Sequence, residues 1–307
     1  VKVFRSIFDF NTSGKTIVTL GTFDGVHLGH KKIIAKLLKS AQIDDLETVV
    51  ITFAQHPRNV LHKKETVGLL NTTEEKIQLL ESSGIDNLII LNFDSHLSEL
   101  SGEEFVKSIL VDKLNLQKII IGYDHRFGKN RACDIHDLIN FGKKHHFDVE
   151  QISAEEINEI TISSTKIRNA ITEGEISLAN QYLGYTYFFS GKVIRGKQLG
   201  RTIDFPTANL HIIDPQKIIP KKGVYIVTGN WEGKTYQGMM NIGTKPTVDG
   251  KNLSIEVHFF NLNEDLYEKE ITVSVLSYIR DEQKFESINA LKEQLFQDKA
   301  TSLAYFN

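Results

Sequence analysis

Hydrophobic and polar positions alternate along this chain in two textures. From Lys15 to about Ile152, short β-branched runs are separated by longer amphipathic stretches, the pattern of a parallel sheet with crossover helices. The runs Thr16–Leu20, Thr48–Phe53, Leu88–Leu91, Ile119–Ile121 and Val149–Ile152 predict strands. Thr72 with Glu75, and Ser101 with Glu104, have the spacing of a capping box, in which a hydroxyl and a carboxylate satisfy orphan amides reciprocally, so helices are expected to start there. Ser164–Thr172 and Ser177–Leu183 read as two closing helices, with Gly184 as the stop. After Tyr187 the spacing shortens: Phe188–Ile194, Val224–Asn230, Thr235–Asn241, Leu253–Phe260 and Glu270–Tyr278 predict strands, followed by a single helix over Ser287–Gln297. Closely spaced strands of this kind predict a small antiparallel barrel or sandwich. Glu232-Gly233 between two of the runs suits a hairpin turn. The change of texture places a boundary near Tyr185, giving domains 1–185 and 186–307.

Composition adds exclusions. The 307 residues carry 36 Lys+Arg against 39 Asp+Glu, a formal charge of −3, which argues against a broad basic face for nucleic acid while leaving local anion sites open. No apolar run approaches the roughly 18 to 20 residues that span a bilayer, and Val1–Phe10 lacks the regions of a secretory signal, so no membrane partner and a cytoplasmic location are expected. The single cysteine, Cys133, supports neither an internal disulfide nor a thiolate zinc cage. A homo-oligomer is compatible with the sequence but not specified by it.

The stretch Gly21-Thr-Phe-Asp-Gly-Val-His-Leu-Gly-His30 follows the first long strand and leads into an amphipathic helix. A strand, a glycine-rich turn and a helix start bring unpaired amides and the positive end of a helix dipole to one place, which suits an anion. His27 and His30, three apart, fall on one face of the helix entry and can donate to the same phosphate oxygens. Two histidines at this spacing alone are more often surface residues near a tight turn, and a zinc site would need further ligands that the pattern does not distinguish. The spacing matches neither the lysine-bearing P-loop nor the dinucleotide fingerprint.

Gly21 to His30 resembles the His-x-Gly-His signature of nucleotidyltransferases, which bind ATP there. Ile162-Ser-Ser-Thr-Lys-Ile-Arg168 resembles the second phosphate-binding motif of that family. Phe53-Ala-Gln-His-Pro57 and Gly122-Tyr-Asp-His-Arg-Phe-Gly128, both placed after strands, resemble motifs of the FMN adenylyltransferase domain of bacterial bifunctional riboflavin kinase/FAD synthetases. Gln55 stands where that family usually has proline, and His125 where an aromatic is common. The resemblance implies a Rossmann-like parallel sheet of the His-x-Gly-His type. It implies His27, His30 and Arg168 as catalytic groups, with Gly21, Phe23, Asp24, Gly25, Gly29, Ser163, Ser164 and Thr165 around the ATP phosphates. His56, Pro57, Asp124 and Phe127 are implied at the flavin.

In the second half, Gly191-Lys-Val-Ile-Arg-Gly-Lys-Gln-Leu-Gly-Arg201 runs into Phe205-Pro-Thr-Ala-Asn-Leu210. Its glycines and cations suit an anion-binding loop, and Thr207 and Asn209, two apart on a strand, present hard oxygens on one side. Pro206 to Asn209, Gly223-Val-Tyr225, Asn241-Ile-Gly243, Pro246-Thr247, Glu256-Val-His258, Asp265-Leu-Tyr267 and Ile279-Arg280 follow the riboflavin kinase pattern in order. The resemblance implies an antiparallel β-barrel kinase domain with a terminal helix. In it Glu256 is the general base toward the ribityl 5′-hydroxyl, and Thr207 and Asn209 hold Mg²⁺. It likewise implies Arg195, Gly196 and Lys197 at phosphate and Arg280 at the flavin. A carboxylate of ordinary pKa, about 4.3, is a weak base for an alcohol, so that role rests on alignment and late proton loss. Asp204 and Glu268 stand where the family usually has glycine, and a charged side chain at either point is expected to alter a turn.

The implied chemistry is ATP-dependent conversion of riboflavin to FMN and then of FMN to FAD, with Mg²⁺ as cofactor. Two further readings are a single-function adenylyltransferase with a ligand-binding barrel and a non-catalytic flavin or nucleotide sensor. Glu256 together with Thr207 and Asn209 argues against the first.

Overall fold

The structure is a computed structural model that describes residues 1–307 apart from 62–65, 124, 154–155, 157–161, 197–198, 248–249 and 263. Asp124 and Lys197, both expected at ligand sites, lie outside the described residues. The chain divides into two compact units, Val1–Ser164 and Thr165–Asn307.

In the first unit, strands β1 (Lys2–Phe4), β2 (Thr16–Leu20), β3 (Glu47–Phe53), β4 (Asn87–Leu91), β5 (Leu116–Gly122) and β6 (Asp148–Ile152) form one sheet in the order β1-β4-β3-β2-β5-β6. Every pairing is parallel. Parallel strands are covered on both faces, which explains the near-continuous apolar runs. Val18, Leu20, Val49 and Ile51 enter one core cluster with Phe105, Leu110 and Phe127. Ile17 and Val50 point the other way, into a second cluster with Phe23, Ile33, Ile34 and Leu37.

The strand order reverses at β2, whose neighbours are β3 and β5. The connections leaving the carboxyl ends of these three strands therefore share one edge, the place where open α/β sheets bind ligands. Both expected capping boxes form, at Thr72/Glu75 for the helix Thr73–Glu81 and at Ser101/Glu104 for the helix Gly102–Phe105. A third, Asp134 with Asp137, starts the helix Ile135–His145. It escapes a search for the Ser/Thr-x-x-Glu form because the same two bonds are made here by aspartates.

The second unit opens with the helices Ser164–Glu173, which begins on the last residue of the first unit, and Ile176–Leu183, which Gly184 ends in the left-handed region at φ 68°. Asn180 ties the second helix to the barrel: its amide donates to Val275 O at 3.0 Å and its carbonyl accepts from Tyr187 N at 2.7 Å. Strands β7 (Phe188–Ile194), β8 (Ala208–His211), β9 (Gly223–Trp231), β10 (Lys234–Thr247), β11 (Gly250–Phe259) and β12 (Glu270–Arg280) close into a barrel in the order β10-β11-β8-β7-β12-β9. The β9–β10 turn has positive φ at both Glu232 (48°) and Gly233 (75°), as a tight two-residue hairpin requires.

The terminal helix runs from Ile288 to Phe306, nine residues past the expected end at Gln297. Its continuation hides in the sequence because its inner face carries buried polar groups, Asp298 and Ser302, instead of an apolar stripe. Asp298 receives a bidentate pair from Arg280, at 2.9 Å from Nε and 2.7 Å from a terminal nitrogen. Gln294 donates to the same carboxylate at 3.0 Å.

Candidate active sites

At the sheet edge of the first unit, β2 runs into a turn with positive φ at three positions: Phe23 at 46°, Gly25 at 88° and Val26 at 36°. Positive φ at two residues bearing side chains persists only where packing over-determines it, and here Phe23 and Val26 are both sealed in the core. The buried Asp24 carboxylate accepts from the amides of Leu70 (3.0 Å) and Asn71 (3.3 Å), pinning the turn to the segment before the helix Thr73–Glu81. The structure thus places Phe23 and Asp24 as the frame of the turn, with the Phe23 ring in the core.

The helix Leu28–Asp44 follows, with Gly29 buried in its first turn and no side-chain cap from His27. His27 and His30 stack with ring centroids 3.7 Å apart and an interplanar angle of 18°, while Phe23 lies against His30 at 5.1 Å. The expected pairing of the two imidazoles on one face is therefore present. His30 Nδ1 is buried without a hydrogen-bond partner. Burial first, then the neighbouring His27 and the Lys76 ammonium, hold the His30 pKa well below that of a free imidazole. Before substrate arrives, His30 is neutral near pH 7.

Ser164 Oγ donates to Asp24 O at 2.9 Å, so the first helical residue of the second motif is joined to the phosphate turn. Ser163 beside it is half-buried, Thr165 is exposed and Arg168 half-buried on the same helix. The loop after β3 brings His56 and Pro57 to a small cleft also lined by Thr22, Asp24, Asn71 and Lys76. Pro57 opens a short helix, where its missing amide costs nothing, and His56 Nδ1 accepts from Arg58 N at 3.2 Å.

Phe127 sits elsewhere, in the core against Phe105 and Phe141, with His125 stacked on it at 5.9 Å. Its backbone bridges Cys133, and a Cβ on Gly128 would meet Gly102 N at 2.7 Å. These contacts fix the described part of the loop leaving β5.

In the barrel, register does the positioning. Glu256 on β11 lies opposite Asn209 on β8 and opposite Asn241 on β10, so three polar residues stand side by side across neighbouring strands. Thr207 Oγ1 donates to Glu256 Oε2 at 3.1 Å and Ser254 Oγ to Oε1 at 3.1 Å, fixing both carboxylate oxygens. The Asn209 side chain lies over Gly196, where a Cβ would meet its amide nitrogen at 2.4 Å. The loop and the metal-candidate strand are therefore in contact, and a larger residue at 196 would displace the Asn209 side chain. Arg195, exposed, sits over the Tyr267 ring at 5.5 Å.

Glu256 and Thr207 open onto a cavity of about 330 Å³, a size typical of small-molecule sites. Its apolar wall comes from Phe205, Met239, Phe285, Leu291 and Leu295, and its polar wall from Asn241, His258, Arg280 and Glu282. His258 Nδ1 lies 2.8 Å from Pro206 O, and burial lowers its pKa. The Arg280 guanidinium lines this cavity while engaged with Asp298 and with Asp281 O at 3.0 Å. Among the described residues no cluster of three or more His, Cys, Asp or Glu could cage a metal ion. Hard oxygens at Thr207 and Asn209, the latter paired across from Glu256, do suit a divalent ion that takes most of its shell from phosphates and water.

The FAD synthetase family matches residues 9–166 and the riboflavin kinase family residues 183–306. The bifunctional riboflavin kinase/FMN adenylyltransferase of Buchnera aphidicola subsp. Schizaphis graminum is 39% identical, covering all of this chain and 99% of its own. The chain belongs to the bifunctional riboflavin kinase/FMN adenylyltransferase family. The enzymes of the same name from Escherichia coli K12 (33% identical, 100% of this chain, 98% of that one) and Listeria monocytogenes (37%, 94% and 92%) agree. A solved structure titled macrolide-efflux protein, from Streptococcus pneumoniae, superposes with TM-score 0.88 at 32% identity over 98% of this chain and 97% of that one. Among the described residues no helix is long and apolar enough to cross a membrane.

Within this family frame, Asp204 and Glu268, the two departures from glycine, keep left-handed backbone at φ 66° and 63°. Their side chains point outward into ion pairs with Lys292 (2.6 Å) and Lys192 (2.7 Å), so each turn is retained. Four residues at these sites had no role assigned from sequence. Asn241 and His258 stand in matched motifs, and their places beside Glu256 come from strand register and from the shared strand face, as does that of Ser254, which no motif includes. The fourth, Lys76, sits in Glu-Glu-Lys at a helix start and reads in sequence as a solvated face.

Proposed function

We propose that residues 186–307 phosphorylate riboflavin with ATP to give FMN and that residues 1–185 transfer AMP from a second ATP to FMN, releasing pyrophosphate and FAD. This is the pair of activities named for the family. The observation that carries the reading is the Glu256 carboxylate, held at both oxygens by Thr207 and Ser254 beside the 330 Å³ cavity. That arrangement gives a base acting on an alcohol a fixed approach to the proton it removes.

In the kinase step, the ribityl 5′-oxygen attacks the γ-phosphorus of ATP, the bond to the β-bridging oxygen breaks, and Glu256 takes the hydroxyl proton as the new bond forms. The apolar wall of Phe205, Met239 and Leu295 accepts the ring system, and Arg280, clamped by Asp298, borders it. Thr207 and Asn209 would hold Mg²⁺, which when bound neutralises charge on the phosphates. Arg195, Gly196 and Lys197 address the triphosphate.

In the adenylyl step, an FMN phosphate oxygen attacks the α-phosphorus and pyrophosphate leaves; no base is required because the nucleophile is already an anion. His27, His30, Ser163, Ser164, Thr165 and Arg168 stabilise the leaving group, and Gly21, Gly25 and Gly29 let the backbone come close to it. His56, Pro57 and Asp124 meet the flavin. Incubation with riboflavin, ATP and Mg²⁺ followed by separation of flavins is the test. FMN and FAD should both appear, with one pyrophosphate per FAD, and binding of flavin without pyrophosphate release would replace this reading with that of a sensor.

A further inference from the structure

Lys76 is the most deeply buried cation of the first unit's ligand edge. It projects from the helix Thr73–Glu81, and its ammonium donates to Thr22 O at 3.0 Å, Phe53 O at 2.9 Å and Thr52 Oγ1 at 3.3 Å. Three donors thus meet three acceptors. Two of those acceptors are the carbonyl of Thr22, two residues beyond β2, and that of Phe53, the last residue of β3, where the phosphate turn and the His56-Pro57 loop depart from the sheet. The same side chain lines the cleft between turn and loop, with Asp24, His56 and Pro57.

A brace between two loops does not require a charge. Burying an ammonium costs several kcal/mol of lost hydration even after relaxation, and a neutral donor such as glutamine would tie two carbonyls without that cost. What the charge adds is a fixed positive potential where two polyanions must approach within bonding distance. The cost is visible in the protein: burial lowers the Lys76 pKa to about 8, with the Asp24 carboxylate opposing the shift, and the ammonium in turn depresses His30. Among the described residues, Asp24 and His30 on the turn and its helix, His56 on the facing loop and Glu75 on the same helix are the titratable groups around it.

We propose that Lys76 is a positioning residue for adenylyl transfer, locking the phosphate turn to the loop after β3 and holding a positive charge on the cleft between them. The inference rests on the adenylyltransferase reading above. It applies to the FAD-forming step alone.

The test uses the full-length protein as parent, Lys76→Met and Lys76→Arg, with FMN formation from riboflavin as the control on each preparation. FAD formation from FMN and ATP should fall at least thirty-fold in Lys76→Met, approaching the roughly 10²-fold loss that misplacement of reacting groups causes, while FMN formation stays within twofold. The profile of kcat/KM for FMN against pH reports the free enzyme. In the parent it should turn down as pH rises through about 8, where Lys76 loses its proton; carboxylates and histidines ordinarily titrate below that range. The limb should be absent in both variants, because methionine has no proton to lose and arginine keeps its own. Lys76→Arg should recover at least a tenth of parent activity. If Lys76→Met also loosens the first unit, seen as an earlier thermal transition, the Lys76→Arg profile decides alone. FAD formation within threefold of the parent in Lys76→Met, or an alkaline limb near pH 8 surviving in Lys76→Arg, would overturn the proposal. A parent that makes no FAD at all would instead remove the reading on which it stands.

Discussion

The two candidate sites are built by opposite means. At the sheet edge, the polar groups stand on connections: a turn with three positive φ angles, a loop opened by Pro57 and a helix start, held together by buried polar braces at Asp24 and Lys76. In the barrel, Asn241, Glu256 and Asn209 stand on paired strands, and the ladder itself sets their spacing. A loop-built site is positioned by a few individually replaceable contacts, whereas a strand-built site inherits its geometry from the whole closed sheet. Damage to one should therefore spread differently from damage to the other.

The largest effect is expected at Glu256. Glu256→Gln keeps the shape and the Thr207 contact but removes the base, so FMN formation should fall by about 10² to 10⁴, while FAD formation from supplied FMN stays at the parent rate. A kinase rate within a few fold of the parent would take this carboxylate out of the mechanism. His30→Ala is the mirror case. FAD formation should drop by about 10² to 10³ with FMN formation unchanged, and equal loss of both products would mean that the comparison between two separate sites is mistaken.

Stability sharpens the contrast further. Asp298→Ala leaves the Arg280 guanidinium, with 20% of its side chain exposed, beside an emptied carboxylate position. The barrel unit should lose about 3 kcal/mol in denaturant unfolding, with the first unit's transition in place. A smaller effect concerns pH. The His30 pKa is depressed in the fold by burial, by His27 and by Lys76, so the unfolded chain binds its proton first. The first unit should lose stability as pH falls below the ordinary histidine value of about 6.5, and His30→Gln should flatten that slope. Least of all, Glu268→Gly releases a side chain from φ 63° and should raise barrel stability by up to about 1 kcal/mol, less the small worth of the exposed Lys192 pair; a clear loss would mean that the ion pair matters more than the backbone.

How much of this could be read from the sequence follows the same division. Strands β2 and β7 match their expected spans at both ends, because apolar runs bounded by turn residues carry a strong signal. β1 and β8, three and four residues long, carry too little pattern to be seen. At the sites, sequence brought His27, His30 and Glu256 forward through their motifs. It could not show how deeply some of these residues pack: Phe23 and Phe127 are buried in the core. Nor could it give Asn241, present in a matched motif, a place in the site: it becomes a neighbour of Glu256 only once β10 pairs with β11. Lys76 was invisible for a different reason. A buried cation on a helix start is rare enough that its burial can be learned only from the packed structure.

The most direct test of two independent centres is complementation. Full-length His30→Ala and Glu256→Gln proteins, each blocked at one step, are mixed with riboflavin, ATP and Mg²⁺, and the flavins are separated over time. FMN should be made by the first protein, released, and converted to FAD by the second, so that the mixture completes a sequence neither protein completes alone. Failure of the mixture to make FAD, with FMN accumulating, would contradict the account.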